Sequence, residues 1–347
     1  MKRETEEKAM EHETISRRWF LKTGVMGLVG LLGSVDGGWE RWVEAAQQRQ
    51  PGTRGAKSRV VVVTNKAINA PRLNSQEVKH AVHQAVCQLM GVEKMEEAWA
   101  RVAGPEDVVA VKINGSGGSP NNVTHREVVF AIVEGLSRAG VEENNIIVYD
   151  QATRSLLTAG LRINKGRTGV RCYAAPPFAA RPTRIGSVVQ RFSRILTEEC
   201  TVLINVPCLK TTAGMGVTIA LKNHQGSIQN PKANHPNNGD PYLADLNCAP
   251  AIRRKTRLVL CDATYPLYHG GPGEDPRYHW PFNGILASLD PVALDTIGWW
   301  ILRRHRDAVA RRPAPLAAKP HYIATAAARG LGTNDPQRIE LKQVDLS

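Results

Sequence analysis

Five short apolar runs, set apart by longer stretches of helical periodicity, constrain the fold more than any other feature of this chain. They are "RVVVVTN" (59–65), "DVVAVKIN" (107–114), "NIIVYD" (145–150), "CTVLINV" (200–206) and "RLVLCDA" (257–263). Each is apolar at consecutive positions instead of alternating, which is how a strand covered on both faces reads, and such strands belong to mostly parallel sheets. Between them, Ser75–Met90 and "THREVVFAIVEGLSRAG" read as helices. In the second, Thr124 followed three residues later by Glu127 predicts a capping box, with Gly140 as terminator. Residues 241–252 and 291–304 read as further helices, the latter capped by Asp290 before Pro291. "TGVRCYAA" reads as a strand and the Pro-rich "PPFAARPTRIG" as a surface excursion. The C-terminal stretch reads as a short helix closed by Gly330 and a last strand. The expected fold class is α/β: one domain over 59–347, a mostly parallel doubly wound sheet with helices on both faces and loop insertions.

The N-terminus reads differently. Ser16-Arg17-Arg18-Trp19-Phe20-Leu21-Lys22 is a twin-arginine sequence, followed by a Gly-rich apolar run from Thr23 to Gly33. That run is too short for a bilayer-spanning helix, which needs about 20 residues, and suits the apolar region of an export signal. With a small-residue cleavage site at Val43-Glu44-Ala45, the signal is expected over 1–45 and a linker over 46–58. The translocation machinery of that route is the implied partner, the expected location is periplasmic or extracytoplasmic, and no other transmembrane span is expected. The route carries folded chains, so folding takes place in a reducing compartment. The six cysteines show no C-x-x-C spacing, which leaves neither an iron–sulfur motif nor a zinc ribbon and makes buried thiols the expectation.

The formal net charge of +13 favours anionic surroundings: envelope polymers, acidic substrates or phosphate groups. Nucleic acid is not the expected partner, since the arginines are dispersed, aromatics are only 5% and no recognition motif is present.

Ligands of open α/β sheets bind beyond the carboxyl ends of the strands. Here one strand ends in Lys112-Ile113-Asn114, others in Asp150, Asn205 and Asp262, so four strands deliver polar side chains to one edge. A polar segment, "NVPCLKTTAGMGVTIALKNHQG" (205–226), adds Lys210, Thr212, Lys222, Asn223 and His224. The loop "GSGGSPNN" lacks the dinucleotide pattern, having Pro120 where its last glycine belongs, and Lys210-Thr211-Thr212 lacks the upstream glycines of a P-loop. His235, His269 and His279 lie in Pro/Gly-rich loops without metal-ligand spacing. Asp295, inside an apolar helix, calls for a lysine or arginine partner.

Several of these pieces resemble one family of bacterial and archaeal proteins, domain-of-unknown-function family 362, in its subgroup with a twin-arginine signal. The matching pieces are "VVAVKIN" with its glycine loop, "LINVPCLKTTAGMGVTIALKNHQGSI", "LVLCDATYP", "ILASLDPVALDTIGWWIL" and "YIATAAARGLG". The resemblance implies a shared α/β core. It also implies recurrent polar positions at Lys112, Asn205, Lys210, Lys222, Asn223, Asp262, Asp290 and Asp295. Where many relatives read Lys-Thr-His, this chain has Lys210-Thr211-Thr212, so a histidine's role there would be lost or shifted to His224. Some relatives carry iron–sulfur cysteine motifs that this chain lacks.

The expected function is an enzyme acting on an anionic small molecule or cell-envelope component. Lys210, Asp262, His224 and Lys222 are the catalytic candidates, and Lys112, Asn114, Asn205, Thr212 and Asn223 the substrate-binding ones. Asp150 and Asp262 are the candidates for a divalent metal, the one cofactor considered. The alternative is a non-catalytic protein that captures an anion or glycan with the same side chains. A third reading makes these residues structural, with lysines paired to Asp262 and Asp295 inside the core.

Overall fold

A computed structural model describes residues 57–347 apart from 187 and 310–317; the expected export signal lies outside the described residues, as does most of the linker. In chain order the elements are β1 (Ser58–Thr64), α1 (Ser75–Met90), α2 (Met95–Ala100), β2 (Val109–Ile113), α3 (Arg126–Arg138), β3 (Ile146–Asp150), α4 (Thr153–Thr158) and β4 (Arg171–Ala174). A small hairpin, β5 (Thr183–Ile185) and β6 (Val188–Gln190), precedes β7 (Val202–Val206), β8 (Cys208–Thr212), β9 (Gly216–Thr218) and the one-turn helix α5 (Ala220–Asn223). Then follow α6 (Tyr242–Cys248), α7 (Pro250–Arg253), β10 (Thr256–Leu267), β11 (Gly284–Ser288), α8 (Pro291–Ala308), α9 (Tyr322–Ala328) and β12 (Ile339–Asp345).

The main sheet runs β12-β1-β11-β10-β7-β2-β3-β4, with β8 and β9 attached alongside the second half of β10. It is mostly parallel, as the apolar runs predict. Only β11 and β9 run against their neighbours. β11 and the β8–β9 pair have no counterpart in the sequence reading, which takes 205–226 as one polar segment. β10 is long because it serves two partners: it pairs with β7 up to Val259 and with β8 from Asp262. Asp262 therefore lies inside a strand, where the chain exchanges one neighbour for another, and not at a strand end.

Both faces are covered. Val109, Val111, Ile204, Leu258 and Leu260 bury one face under α1, α2 and α3. Ala110, Ile147 and Leu203 bury the other with Ile228, Leu246 and Ile252, in the layer that contains α6 and α7. Because strand side chains alternate, Asp262 belongs with Leu260 on the first face, and Lys112 and Asn205 belong with Ala110 and Leu203 on the second.

Chain direction across the sheet reverses once: from β2 it moves outward to β3 and β4, then returns to β7 on the other flank of β2. The carboxyl ends of β2 and β7 thus frame the switch point at which such sheets bind ligands.

Two local expectations are corrected. Thr124 is not the cap of α3; that position belongs to His125, which makes no side-chain cap bond. Thr124 Oγ1 instead donates to Val206 O (2.7 Å) and accepts from Asn114 N (2.9 Å), joining the ends of β2 and β7. Among the described residues Asp295 finds no cation. It caps α5, accepting from Ala220 N (2.7 Å) and Leu221 N (3.2 Å). Burial pushes its carboxyl up to about 8, against the pull of those two N–H groups. Asp290 does cap α8, through Val292 N and Ala293 N, and Gly140 does follow α3 in the left-handed region at φ 91°.

Candidate functional site

The switch point is filled by the protein's own side chains. Lys112 Nζ donates to Asp150 Oδ1 (2.7 Å), Ile113 O (2.6 Å) and Asn223 Oδ1 (3.2 Å), which uses all three ammonium protons. Asn223 Nδ2 donates to Asn205 Oδ1 (2.8 Å) and Lys112 O (3.1 Å), Asn114 Nδ2 donates to Asn223 Oδ1 (3.2 Å), and Asn205 Nδ2 donates to Ala220 O (2.9 Å). The other oxygen of Asp150 accepts Gly115 N at 2.8 Å. Both members of the ion pair are almost fully buried, with side-chain exposures of 1% and 5%. Desolvation lowers the Lys112 pKa while the Asp150 carboxylate works to raise it. Gly226 lies so close above the pair that a Cβ there would meet Asp150 Oδ1 at 2.5 Å and Lys112 Nζ at 2.8 Å.

The structure therefore brings Lys112, Asn114, Asn205, Asn223 and Asp150 together, without Asp262. Their hydrogen bonds, however, are spent on one another and on the backbone. Such a closed network holds α5 and the glycine loop onto the strand ends; it offers little to a ligand.

The four catalytic candidates do not converge. Lys210 Nζ donates to Ser116 O and to Asn122 O (2.7 Å), clamping the two ends of the glycine loop. Lys222 is half-buried and makes no hydrogen bond or ion pair among the described residues; desolvation, then Lys210 and Lys112, lower it to about 8. His224 is buried, pushed down to about 3 by desolvation and by Lys112, and its Nδ1 has no partner among the described residues. It lines a cavity with Asn205 and Asn247 rather than facing Asp262. Thr212 sits at the β8–β9 turn opposite Gly216, and its hydroxyl joins neither group. Asp150 and Asp262 cannot share a metal ion. β7 and β2 stand between their strands, a separation of roughly 14 Å at about 4.8 Å per strand. Among the described residues, no group of three or more His, Cys, Asp or Glu gathers as a ligand set.

Asp262 has a partner that the sequence reading did not single out. Its Oδ2 accepts His125 N (2.8 Å) and lies 2.8 Å from His125 Nδ1; its Oδ1 accepts Thr264 N (3.0 Å) and Thr264 Oγ1 (2.8 Å). A carboxylate can only accept, so the ring must carry its proton on Nδ1, leaving Nε2 as the working nitrogen. Nε2 has no hydrogen-bond partner among the described residues. Burial disfavours the imidazolium, yet the charge and hydrogen bond of Asp262 outweigh it and raise the His125 pKa. Desolvation likewise opposes the carboxylate, and His125 with three further donors to it keeps the Asp262 pKa low. The pair borders a small cleft with Asn121, Asn122, Cys208 and Tyr265. Beside it His279, stacked on Tyr265 with ring centroids 4.7 Å apart, donates Nδ1–H to Tyr265 O (2.9 Å). A histidine in the first turn of a predicted helix is the available signal for His125; its meaning depends on where β10 lies, which local periodicity does not carry.

This arrangement is an α/β protein with an oriented imidazole at the carboxyl side of its sheet. The family model described as "Domain of unknown function (DUF362)" matches residues 109–300. That is more than half of the chain, and the chain belongs to this family. No curated protein matches it. Among solved structures it is similar to a structural-genomics target protein from Thermotoga maritima, at 12% identity and a TM-score of 0.43, over 67% of this chain and 59% of that one. The chain thus spans less than two thirds of that relative's length.

Proposed function

We propose that this is an exported protein that carries out acid–base chemistry on a small anionic molecule or cell-envelope component, with His125 as the proton-handling group and Asp262 as its orienting partner. The observation that carries the reading is the His125–Asp262 contact of 2.8 Å combined with a buried Nε2 that is unpartnered among the described residues, on a residue that lines a cleft. Such a ring accepts a proton at Nε2 when neutral and donates one when charged, and the carboxylate holds it in the productive tautomer. The high net positive charge favours the approach of anions. Lys210, by holding the glycine loop, positions Asn121 and Asn122 on the cleft wall. The twin-arginine sequence supports export, and the translocation machinery is the partner it requires. Among the described residues no helix is long and apolar enough to cross a membrane.

The test uses 4-nitrophenyl phosphate and 4-nitrophenyl acetate as turnover probes and inorganic phosphate as a binding probe. Turnover that falls about 100-fold or more in both His125→Asn and Asp262→Asn supports the enzyme. Phosphate binding that depends on His125 without turnover of either ester replaces it with the capture protein. Neither turnover nor binding, or either one unchanged in both variants, overturns the site. Export is tested separately: Arg17→Lys with Arg18→Lys should retain the chain in the cytoplasmic fraction, and undiminished export would remove that part of the reading.

A further inference from the structure

Across the sheet from the His125–Asp262 pair lies a second, larger cavity of about 200 Å³. Its floor is the sheet face that carries Asn205 and Thr256, and α7 and the segments following β11 and α9 complete it. Nothing in the closed lysine–asparagine network or in the proton-handling pair accounts for it.

Three polar groups in its wall have unused hydrogen-bonding capacity. His224 is only 1% exposed and lines the cavity, and neither of its ring nitrogens makes a hydrogen bond among the described residues, so the ring keeps its hydrogen-bonding capacity. Asn247 donates both Nδ2 protons, to Leu221 O (2.7 Å) and Leu243 O (2.8 Å), which leaves its Oδ1 as an acceptor. Arg253 lines the cavity from an exposed position and commits one N–H to Gly330 O (2.8 Å). Its other guanidinium protons remain for a carboxylate. No carboxylate is among the lining residues.

The rest of the wall is apolar: Ile252, Pro291, Leu331 and Leu289. Leu289 is 57% exposed, one of few large apolar side chains left open to solvent in the described chain. An apolar surface with a few convergent polar groups is how small-molecule sites are built. The volume sets the ligand size, since a cavity of roughly 150 Å³ holds benzene.

We infer that this cavity is a second binding site, for a short-chain carboxylate bearing a hydroxyl group, with Arg253 on the carboxylate, His224 and Asn247 on the hydroxyl and the apolar wall on the aliphatic tail. The ring of His224 is neutral throughout the physiological range, because desolvation and Lys112 hold its pKa at about 3. It can therefore supply one donor and one acceptor without attracting a counter-ion. The site is independent of the reading given for His125, which lies on the opposite face.

The experiment titrates the full chain, with 15N-labelled histidine, with 2-hydroxybutanoate, and with 1,2-butanediol as the uncharged counterpart. Saturable binding is expected at about 1 mM or tighter, moving the His224 ring resonances and leaving those of His125 in place. Arg253→Met and Leu289→Glu both alter exposed positions, and each should weaken binding about tenfold or more. No saturable binding at about 10 mM overturns the proposal. So does a response at His125 instead of His224, affinity unchanged in both variants, or equal binding of the diol.

Discussion

The two faces of the sheet treat buried polar side chains in opposite ways. On one, Lys112, Asp150, Asn114, Asn205 and Asn223 bond chiefly to each other and to the backbone, so the segment that looks most like a binding site is a fastening. On the other, Asp262 is fully engaged but hands its orientation to His125, whose outer nitrogen stays unmatched. Density of polar residues therefore says little about function. What separates a site from a staple is a valence left over after the fold has taken its share.

The comparison is broken most forcefully by Lys112→Met. It leaves Asp150 buried and unpaired and should cost about 3–5 kcal/mol in denaturant unfolding; a loss near zero would mean the network is not closed. Asn223→Ala comes next, since it strands Asn205 Oδ1 and a proton of Lys112, and about 2–3 kcal/mol is expected by the same measurement.

On the other face the effect is smaller and depends on pH. The raised pKa of His125 means that its contribution is complete below the ordinary imidazole value of 6.5 and is lost as pH rises through the folded value. The lowered pKa of Asp262 means that its contribution is present above 3.8 and is lost as pH falls through the folded value. Thermal stability should accordingly be greatest between those two limits as far as this pair is concerned. Asp262→Asn should flatten the alkaline decline, and an unaltered profile would show that the ion pair does not form. Thr212→Val should change stability by no more than about 0.5 kcal/mol, because its hydroxyl has no bond to lose. A larger loss would bring Thr212 back among the functional candidates.

Much of this was legible in the chain. The strands at Ser58–Thr64, Val109–Ile113, Ile146–Asp150 and Val202–Val206 each carry at least three consecutive apolar residues, so their two-sided burial can be read from local sequence alone. The gathering of Lys112, Asn114, Asp150 and Asn205 follows from the carboxyl-edge rule once those strands are parallel. What escaped the reading depends on partners distant in sequence. β11 is short and takes its identity from β1 and β10 on either side of it. Whether Asn223 binds substrate or binds Lys112 is decided by how α5 docks, and His125 is separated from Asp262 by 137 residues. The separation of Asp150 from Asp262, which excludes a shared metal, is likewise a matter of strand order rather than of spacing.

β1 lies between β11 and β12, so the first strand of the sheet to leave the ribosome is hydrogen-bonded by the last two. Ser58 and Thr333 both bond to Asp290 Oδ2, at 2.6 and 2.9 Å, drawing the start of the sheet, the cap of α8 and the C-terminal segment onto one carboxylate. β1 therefore has nothing to pair with until Gly284–Ser288 and Ile339–Asp345 have been made, and until then a run of four valines waits with both edges bare. Removing the residues after Arg338 would take β12 away from β1, so a loss late in the described chain would be felt where the sheet starts.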